Sequence, residues 1–170
     1  MGFLAKASAL FVGLRVTASY HEALKVAPAK EANLKAARRD VRSAIRASSS
    51  RIKLEDRFWQ GNFAAQSHRI RPEIMPRFLT QGSVAYDLLV DPCQKPPQHL
   101  DLDDGMYVRV DYLDNGQPAL VAKALFAMVE EALRPLCLQR GWTLDTSKAT
   151  CVRVQISRDS HIDIPIYSAP

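Results

Sequence analysis

The order of apolar and polar residues divides the chain into a helical first part and a later part with extended segments. Residues 3–47 are rich in Ala, Leu, Lys and Arg, which are good helix formers, and Pro28 divides them into two predicted helices. The run Ser48-Ser49-Ser50 predicts a break, and residues 51–63 allow another helical turn or two. The pattern therefore predicts N-terminal helices that precede a sheet.

Extended segments begin at residue 77. Residues 77–81 and about 100–113 have the short apolar and alternating pattern of strands. Residues 150–156 and 161–167 alternate like the two strands of a hairpin, with Ser157-Arg158-Asp159-Ser160 as the turn. Helices first and strands afterwards predict an α+β domain with a mixed sheet.

Two helices are predicted among these strands. Residues 84–89 could begin a helix with Ser83 near its N-cap. Ala119–Arg134 has the clearest helical spacing of apolar residues in the chain. We expect Pro135 to kink or end this helix and Gly141 to stop it.

The composition fits a globular domain rather than a membrane protein. The chain has 170 residues, 47% of them hydrophobic, which is enough for one domain with its own core. No stretch reaches eighteen uninterrupted apolar residues, so no membrane span or membrane partner is expected. The net charge is +5, and much of the excess precedes residue 78. Such an excess suits a nucleotide or another polyanion, although it also fits a solvated helix face.

Cysteine and histidine give no metal-binding pattern. The three cysteines lie far apart without a CxxC pair, so neither a zinc site nor a disulfide framework is expected, and reduced thiols indicate a cytoplasmic protein. Residues 1–21 contain no acid, but Arg15 interrupts their apolar run, which is a poor fit to a signal peptide. The four histidines share no metal-ligand spacing, and we assign them no role: His21, His68, His99 and His161.

Candidate chemistry begins at Asp101-Leu102-Asp103. Side chains on a strand repeat every second residue, so the two aspartates project from one face. Two neighbouring carboxylates repel each other unless a cation lies between them, and Mg²⁺ binds through one or two carboxylates plus substrate phosphates. Asp-x-Asp alone is weak evidence, because loops and surface strands contain it often.

Gly82-Ser83 lies upstream of this pair, at the end of a predicted strand. Glycine lets a phosphate approach backbone amides closely, and a helix N-terminus adds N–H donors. By itself this dipeptide indicates only a turn.

The final hairpin adds a third carboxylate and an arginine. Asp163 lies opposite the apolar face of Ile162, Ile164 and Ile166, and hairpin pairing would put it on the same face as Arg153. An arginine there could clamp a triphosphate or stack beside a base. Each residue also has an ordinary interpretation as a solvent-facing charge.

Together these motifs are more specific than any one of them. The Gly-Ser turn, the Asp-x-Asp and a third aspartate on a later strand resemble the polymerase-β-type nucleotidyltransferase superfamily. The chain from about residue 57 resembles the bacterial cyclic GMP-AMP synthases, the cGAS/DncV-like nucleotidyltransferases of anti-phage signalling. Four segments carry this resemblance: Gln81-Gly82-Ser83-Val84-Ala85-Tyr86-Asp87, Leu100-Asp101-Leu102-Asp103-Asp104-Gly105, Lys148-Ala149-Thr150-Cys151-Val152-Arg153 and His161-Ile162-Asp163-Ile164-Pro165-Ile166-Tyr167.

The resemblance implies a fold, a site and a reaction. It implies a polymerase-β-like core over residues 57–170, preceded by a helical segment at 1–56. Asp101, Asp103 and Asp163 would bind two Mg²⁺ ions, and Arg153 would contact the nucleotide. The turn would hold the ATP phosphates through Gln81, Gly82, Ser83, Val84, Ala85 and Tyr86, with Tyr86 available to stack on a base. ATP and GTP would be joined into a cyclic dinucleotide that a downstream effector reads.

Several expectations concern the protein beyond this core. Members of the family continue with a largely helical second half, so we expect this chain to be a truncated piece that could be inactive alone. Regulatory or conjugating partners of a defence system are compatible with the resemblance, whereas nucleic-acid binding is not expected. Two alternatives stay open: a nucleotidyltransferase that makes linear oligoadenylate or modifies another substrate, and an inactive nucleotide- or RNA-binding fragment of the same fold.

Overall fold

A computed structural model describes residues 24–52, 74–91, 98–109, 113–114, 117–118 and 122–169. These residues form three helices and seven strands, which follow one another along the chain: α1 Pro28–Ile52, β1 Arg77–Thr80, α2 Gly82–Ala85, β2 Leu100–Arg109, β3 Leu113–Asp114, β4 Gln117–Pro118, α3 Ala122–Arg140, β5 Thr143–Asp145, β6 Cys151–Ser157 and β7 Ser160–Ala169. The described part of the chain is therefore α+β, as the pattern predicts.

Five of the strands form one mixed sheet in the order β1-β2-β7-β6-β5. β7 pairs parallel with β2, while β1/β2, β7/β6 and β6/β5 are antiparallel pairs. The predicted hairpin of β6 and β7 is confirmed, with Arg153 opposite Asp163. β3 and β4 form a separate two-stranded ladder.

Alternation along the strands gives the sheet two different faces. Fully buried apolar residues of β2, β6 and β7 join α1 and α3 in one hydrophobic cluster, including Leu102, Val154 and Ile164 with Val41 and Leu133. Since neighbouring residues of a strand point to opposite sides, the odd-numbered positions of these strands face away from this cluster. That second face carries the candidate chemistry.

Helix α1 continues through the serine run, so the predicted break at Ser48-Ser49-Ser50 is wrong. The helix begins at Pro28, as predicted, because proline is preorganised for the first helical position. Its described part extends to Ile52. The hydroxyls of Ser49 and Ser50 donate to carbonyls three residues earlier, those of Arg46 and Ala47. These bonds satisfy the hydroxyls within the helix, and Ser48 and Ser49 are buried.

Helix α3 likewise continues past Pro135, which lies inside it and does not end it. Proline removes one backbone donor, but the apolar stripe that includes Leu133 and Cys137 is buried in the core and holds the helix on both sides of the proline. The predicted stop at Gly141 is confirmed. Gly141 has φ +67°, and the N–H of Trp142 donates to the carbonyl of Cys137 at 2.9 Å, which is the bond of a Schellman cap.

Helix α2 is shorter than predicted and starts earlier. It spans Gly82–Ala85 with Gln81 at the N-cap, so Ser83 lies inside the helix rather than at its cap. The chain leaves the helix at Tyr86, and Asp87 takes the left-handed conformation with φ 56°, which prevents a longer helix.

Helix α1 falls within the predicted helical segment 1–56, and it packs against α3 in the shared core. The proposed boundary near residue 57 and the predicted helix before Pro28 lie largely outside the described residues. Within the described ranges, no helix has the length and hydropathy needed to cross a bilayer.

Candidate active site

Parallel pairing of β2 with β7 brings the three predicted aspartates together. Asp103 is the register partner of Asp163, and Asp101 is the partner of His161. Asp101, His161 and Asp163 each offer a ligand atom, and these atoms lie within 4.8 Å of one another. Carboxylates from two segments about sixty residues apart therefore converge on the face of the sheet opposite the helices.

The carboxylate of Asp101 has an unpaired atom that fits a cation. Its Oδ1 is buried and has no hydrogen-bond partner among the described residues. Since carboxylate oxygens are the ligands that Mg²⁺ prefers, the residues present fit a divalent ion.

The turn between β1 and α2 touches this site through Gly82. Gly82 has φ +60°, and a Cβ added there would lie well inside 3.0 Å of Asp103 Oδ2. The N–H of Gln81 donates to the carbonyl of Asp103 at 2.8 Å, which ties the turn to β2. The Gly-Ser turn and the Asp-x-Asp motif are thus in direct contact.

Gln81 has protein partners at both its backbone and its side chain, and its predicted role in nucleotide binding stays a prediction. Its side-chain amide donates to the hydroxyl of Tyr107 at 2.6 Å, and the hydroxyl of Tyr167 lies 3.5 Å from its Oε1. The two tyrosine rings stack with centroids 4.9 Å apart. Because its backbone N–H and its side chain both have protein partners, Gln81 contributes to the site by fixing the turn.

The rest of the turn is open to solvent. Ser83 and Val84 are half-buried, Ala85 is exposed, and the ring of Tyr86 is 77% exposed. The predicted roles of these residues in phosphate and base binding stay predictions, which a bound nucleotide would test.

Arg153 already has a partner at the site. Its Nε and one terminal nitrogen donate to the two oxygens of Asp163, both at 2.6 Å. Lys148 Nζ lies 3.7 Å from the same carboxylate. Arg153 and Lys148 therefore both form ion pairs with Asp163, and neither is seen to form one with Asp103 among the described residues.

This asymmetry moves the pKa values of the two facing aspartates in opposite directions. Burial, reinforced by the charges of Asp101 and Asp163, raises the pKa of Asp103. Burial by itself would raise the pKa of Asp163 as well, but the hydrogen bonds and charge of Arg153 outweigh it and lower that pKa. Among the described residues Asp103 forms no salt bridge, and the charge of Arg153 lowers its pKa less than burial and the neighbouring acids raise it, a situation that a bound metal ion would relieve.

His161 is a site residue that the histidine spacing did not reveal. It is buried, 5% exposed, and its Nε2 lies 3.0 Å from Asp101 Oδ1. The available signal was strand alternation, since His161 and Asp163 are two residues apart and must share a face.

A second missed pair lies behind the site, on the helix side of β2. Asp104 is fully buried, and Arg42 of α1 donates to both of its oxygens. Arg42 and Arg38 also donate to the hydroxyl of Thr80, the last residue of β1. Helix α1 thereby holds the end of β1 that leads into the turn and the middle of β2, where Asp103 lies.

The chain is similar in sequence to known proteins. The sequence model of the family described as "Cyclic GMP-AMP synthase DncV-like, nucleotidyltransferase domain" matches residues 76–167. The cyclic GMP-AMP synthase of Vibrio cholerae is 37% identical over 99 residues, which are 57% of this chain and 22% of that protein.

Solved structures of the Vibrio cholerae di-nucleotide cyclase DncV share the fold. A mutant form matches with a TM-score of 0.71 at 24% identity, covering 89% of this chain and 48% of that one. The complex with GTP and 5MTHFGLU2 matches with a TM-score of 0.70 at 25% identity, covering 89% and 47%. The chain thus spans about half the length of the structures it matches.

Proposed function

Since this chain belongs to the family of DncV-like nucleotidyltransferase domains of cyclic GMP-AMP synthases, we propose that it is the catalytic core of a Mg²⁺-dependent enzyme that joins ATP and GTP into a cyclic dinucleotide. The product is a 3',3'-cGAMP-like messenger. The enzyme acts in the cytoplasm as part of an anti-phage (CBASS) defence system, in which an effector protein binds the messenger.

The convergence of three carboxylates beside a phosphate-binding type of turn carries this proposal. Asp101 and Asp103 come from β2, Asp163 comes from the adjacent β7, and Gly82 touches Asp103. Structural carboxylates are ordinarily dispersed or paired one to one with cations. Here Asp103 is close to two other acids and has a raised pKa, which favours a role in cation binding.

Asp101, Asp103 and Asp163 would hold the two magnesium ions. When bound, the metal lowers the pKa of the attacking ribose hydroxyl and stabilises the leaving pyrophosphate. By holding the ions in place, the three side chains would orient the triphosphate, and positioning with charge neutralisation supplies most of the acceleration in phosphoryl transfer.

The other residues position the triphosphate. The backbone of Gly82 can approach a phosphate closely because it has no side chain, and the hydroxyl of Ser83 can donate to a phosphate oxygen. The exposed ring of Tyr86 is available for stacking on a base. Arg153 holds Asp163 through two hydrogen bonds and can extend a guanidinium toward the nucleotide from the same face.

The test measures nucleotide binding and product separately, because the chain spans about half of the DncV structures it matches. We expect a non-hydrolysable GTP analogue to bind with Mg²⁺ and to lose most of its affinity when EDTA is added. Asp101→Asn with Asp103→Asn should abolish the metal-dependent part of binding. Asp40→Asn is the matched control, because Asp40 pairs with Arg140 on the helix side of the molecule.

Mass spectrometry after incubation with ATP, GTP and Mg²⁺ then identifies the reaction. A cyclic product supports the proposal, and a linear oligoadenylate or a nucleotidylated protein supports the alternative transferase. If the double aspartate variant binds nucleotide as the parent chain does, the metal-dependent mechanism is wrong and a non-catalytic nucleotide-binding role takes its place.

A further inference from the structure

His161 is a buried imidazole that directly adjoins two of the proposed metal-binding carboxylates. We propose that its Nε2 is a metal ligand and that, with Asp101 and Asp163, it forms a mixed nitrogen–oxygen site for a divalent transition metal. The inference rests on the proposed function in one respect, because it shares these two carboxylates with the magnesium site. It goes further in adding a nitrogen ligand and a preference among metals.

The distances match ligands around one ion. Nε2 of His161 lies 3.0 Å from Asp101 Oδ1 and 4.0 Å from Asp163 Oδ1. With metal–ligand bonds of about 2.1 Å, neighbouring ligands of an octahedral ion are about 3.0 Å apart and opposite ligands about 4.2 Å apart. The two distances from Nε2 are therefore those of a neighbouring and an opposite ligand, and all three ligand atoms lie within 4.8 Å of one another.

The hydrogen-bonding state of these atoms favours the same interpretation. Both ring nitrogens of His161 and Oδ1 of Asp101 are buried, and none of the three has a hydrogen-bond partner within the described residues. The 3.0 Å separation therefore does not correspond to an aligned N–H···O bond. An ion between Nε2 and Oδ1 would satisfy two of these three atoms at once.

Asp163 can serve this site while it stays paired with Arg153. Each of its oxygens accepts one hydrogen bond from the guanidinium. A carboxylate has about four lone-pair sites, so two of them remain for an ion.

The ligand set determines which metals it would take. Magnesium prefers oxygen ligands only, whereas imidazole nitrogen suits zinc, iron, nickel and copper and is also accepted by manganese and cobalt. A site of one imidazole and two carboxylates should bind Zn²⁺ or Co²⁺ far more tightly than Mg²⁺. Loss of the imidazole should change Mg²⁺ binding little.

Pulsed electron paramagnetic resonance on the intact chain tests the ligation directly, with Mn²⁺ added below the protein concentration at about pH 8, above the ordinary pKa of imidazole. We expect modulation from a directly coordinated ¹⁴N nucleus. The modulation should disappear in His161→Gln and persist in His99→Gln. His99 is the matched control, because its ring lies 5.5 Å from that of His161 and its Nδ1 lies 3.4 Å from Gln155 Nε2.

Affinity measurements complete the test. Competition with a chromophoric chelator should show Zn²⁺ affinity about 10-fold or more lower in His161→Gln, with Mg²⁺ affinity changed less than about 3-fold. His161→Asn serves as a second variant, and the spectrum of the unmodified chain decides the question even if both variants fold poorly.

The outcomes separate this inference from the proposed function. If the unmodified chain binds Mn²⁺ without nitrogen coupling, and the Asp101→Asn, Asp103→Asn double variant does not bind it, then His161 is not a ligand. The magnesium mechanism would remain supported. Nitrogen coupling that is lost only in His99→Gln also overturns the role of His161. Failure of the unmodified chain to bind Mn²⁺ at all overturns both proposals.

Discussion

Replacing Gly82 with alanine should disrupt metal binding far more than it disrupts folding. Gly82 has φ +60°, a backbone conformation that costs an L-residue about 1–2 kcal/mol. The new methyl group would also collide with Asp103 Oδ2. To reach ordinary contact the carboxylate must move by about 1 Å, and a shift of that size can cost about 100-fold at a reacting centre.

The chain offers a control that separates the two effects. Gly141 has nearly the same backbone conformation, φ +67°, but no described residue lies within 4 Å of a Cβ added there. Gly141→Ala should therefore show the backbone cost alone. We expect both variants to lose about 1–2 kcal/mol in urea denaturation.

Isothermal titration with Mn²⁺ is the deciding assay. Gly82→Ala should bind Mn²⁺ at least about 10-fold more weakly than the parent chain, while Gly141→Ala should match the parent. Equal Mn²⁺ affinity in all three proteins would refute the claim that the turn holds Asp103 in place. Equal loss in both variants would show that general destabilisation, not the contact with Asp103, weakens the site.

Three further predictions concern stability. Arg42→Met should lower the free energy of unfolding in urea by about 3–5 kcal/mol, because it leaves the buried Asp104 without its cation. Adding Asp104→Leu should restore much of that loss. An unchanged urea midpoint in the single variant would contradict this. Asp103→Asn should raise the Tm of the metal-free protein, because folding raises the pKa of Asp103. A carboxyl with a raised pKa favours the folded state at low pH, and this contribution is lost as the pH rises through its pKa in the folded protein. The gain in Tm should therefore grow with pH, and a gain that is absent at every pH would contradict the shift. Pro135→Ala should stabilise the protein by about 1–3 kcal/mol by restoring a backbone hydrogen bond within α3, as thermal unfolding would show; no gain would mean that α3 is already relaxed around the proline.

Local patterns predicted the parts of the site that depend on strand alternation. Asp101 with Asp103, and Arg153 with Asp163, lie on common faces because a strand repeats every second residue. Only the resemblance to nucleotidyltransferases predicted that the strands of Asp101 and Asp163, β2 and β7, lie close together. Alternation alone could not, since it does not show which strands pair or that β2 and β7 run parallel.

Errors arose where tertiary packing overrode local preference. The serine run and Pro135 are both poor helix signals, yet α1 and α3 continue through them because their apolar faces are buried in one core. The ion pair of Arg42 with Asp104 was equally invisible, because it joins residues 62 positions apart that have no shared motif. The spacing of His161 to Asp163 indicates a shared face of the strand, whereas the spacings between the histidines give no sign of the site.

Because β7 is the central strand of the sheet, ion binding at Asp163 should stabilise more of the molecule than the site itself. β7 pairs with β2 on one side and β6 on the other, and it carries both Asp163 and the fully buried Ile162 and Ile164. The strand cannot detach locally without opening the sheet and the hydrophobic interior together. A divalent ion held there should therefore slow amide hydrogen exchange across the whole β2-β7-β6 region, as a global rather than a local protection.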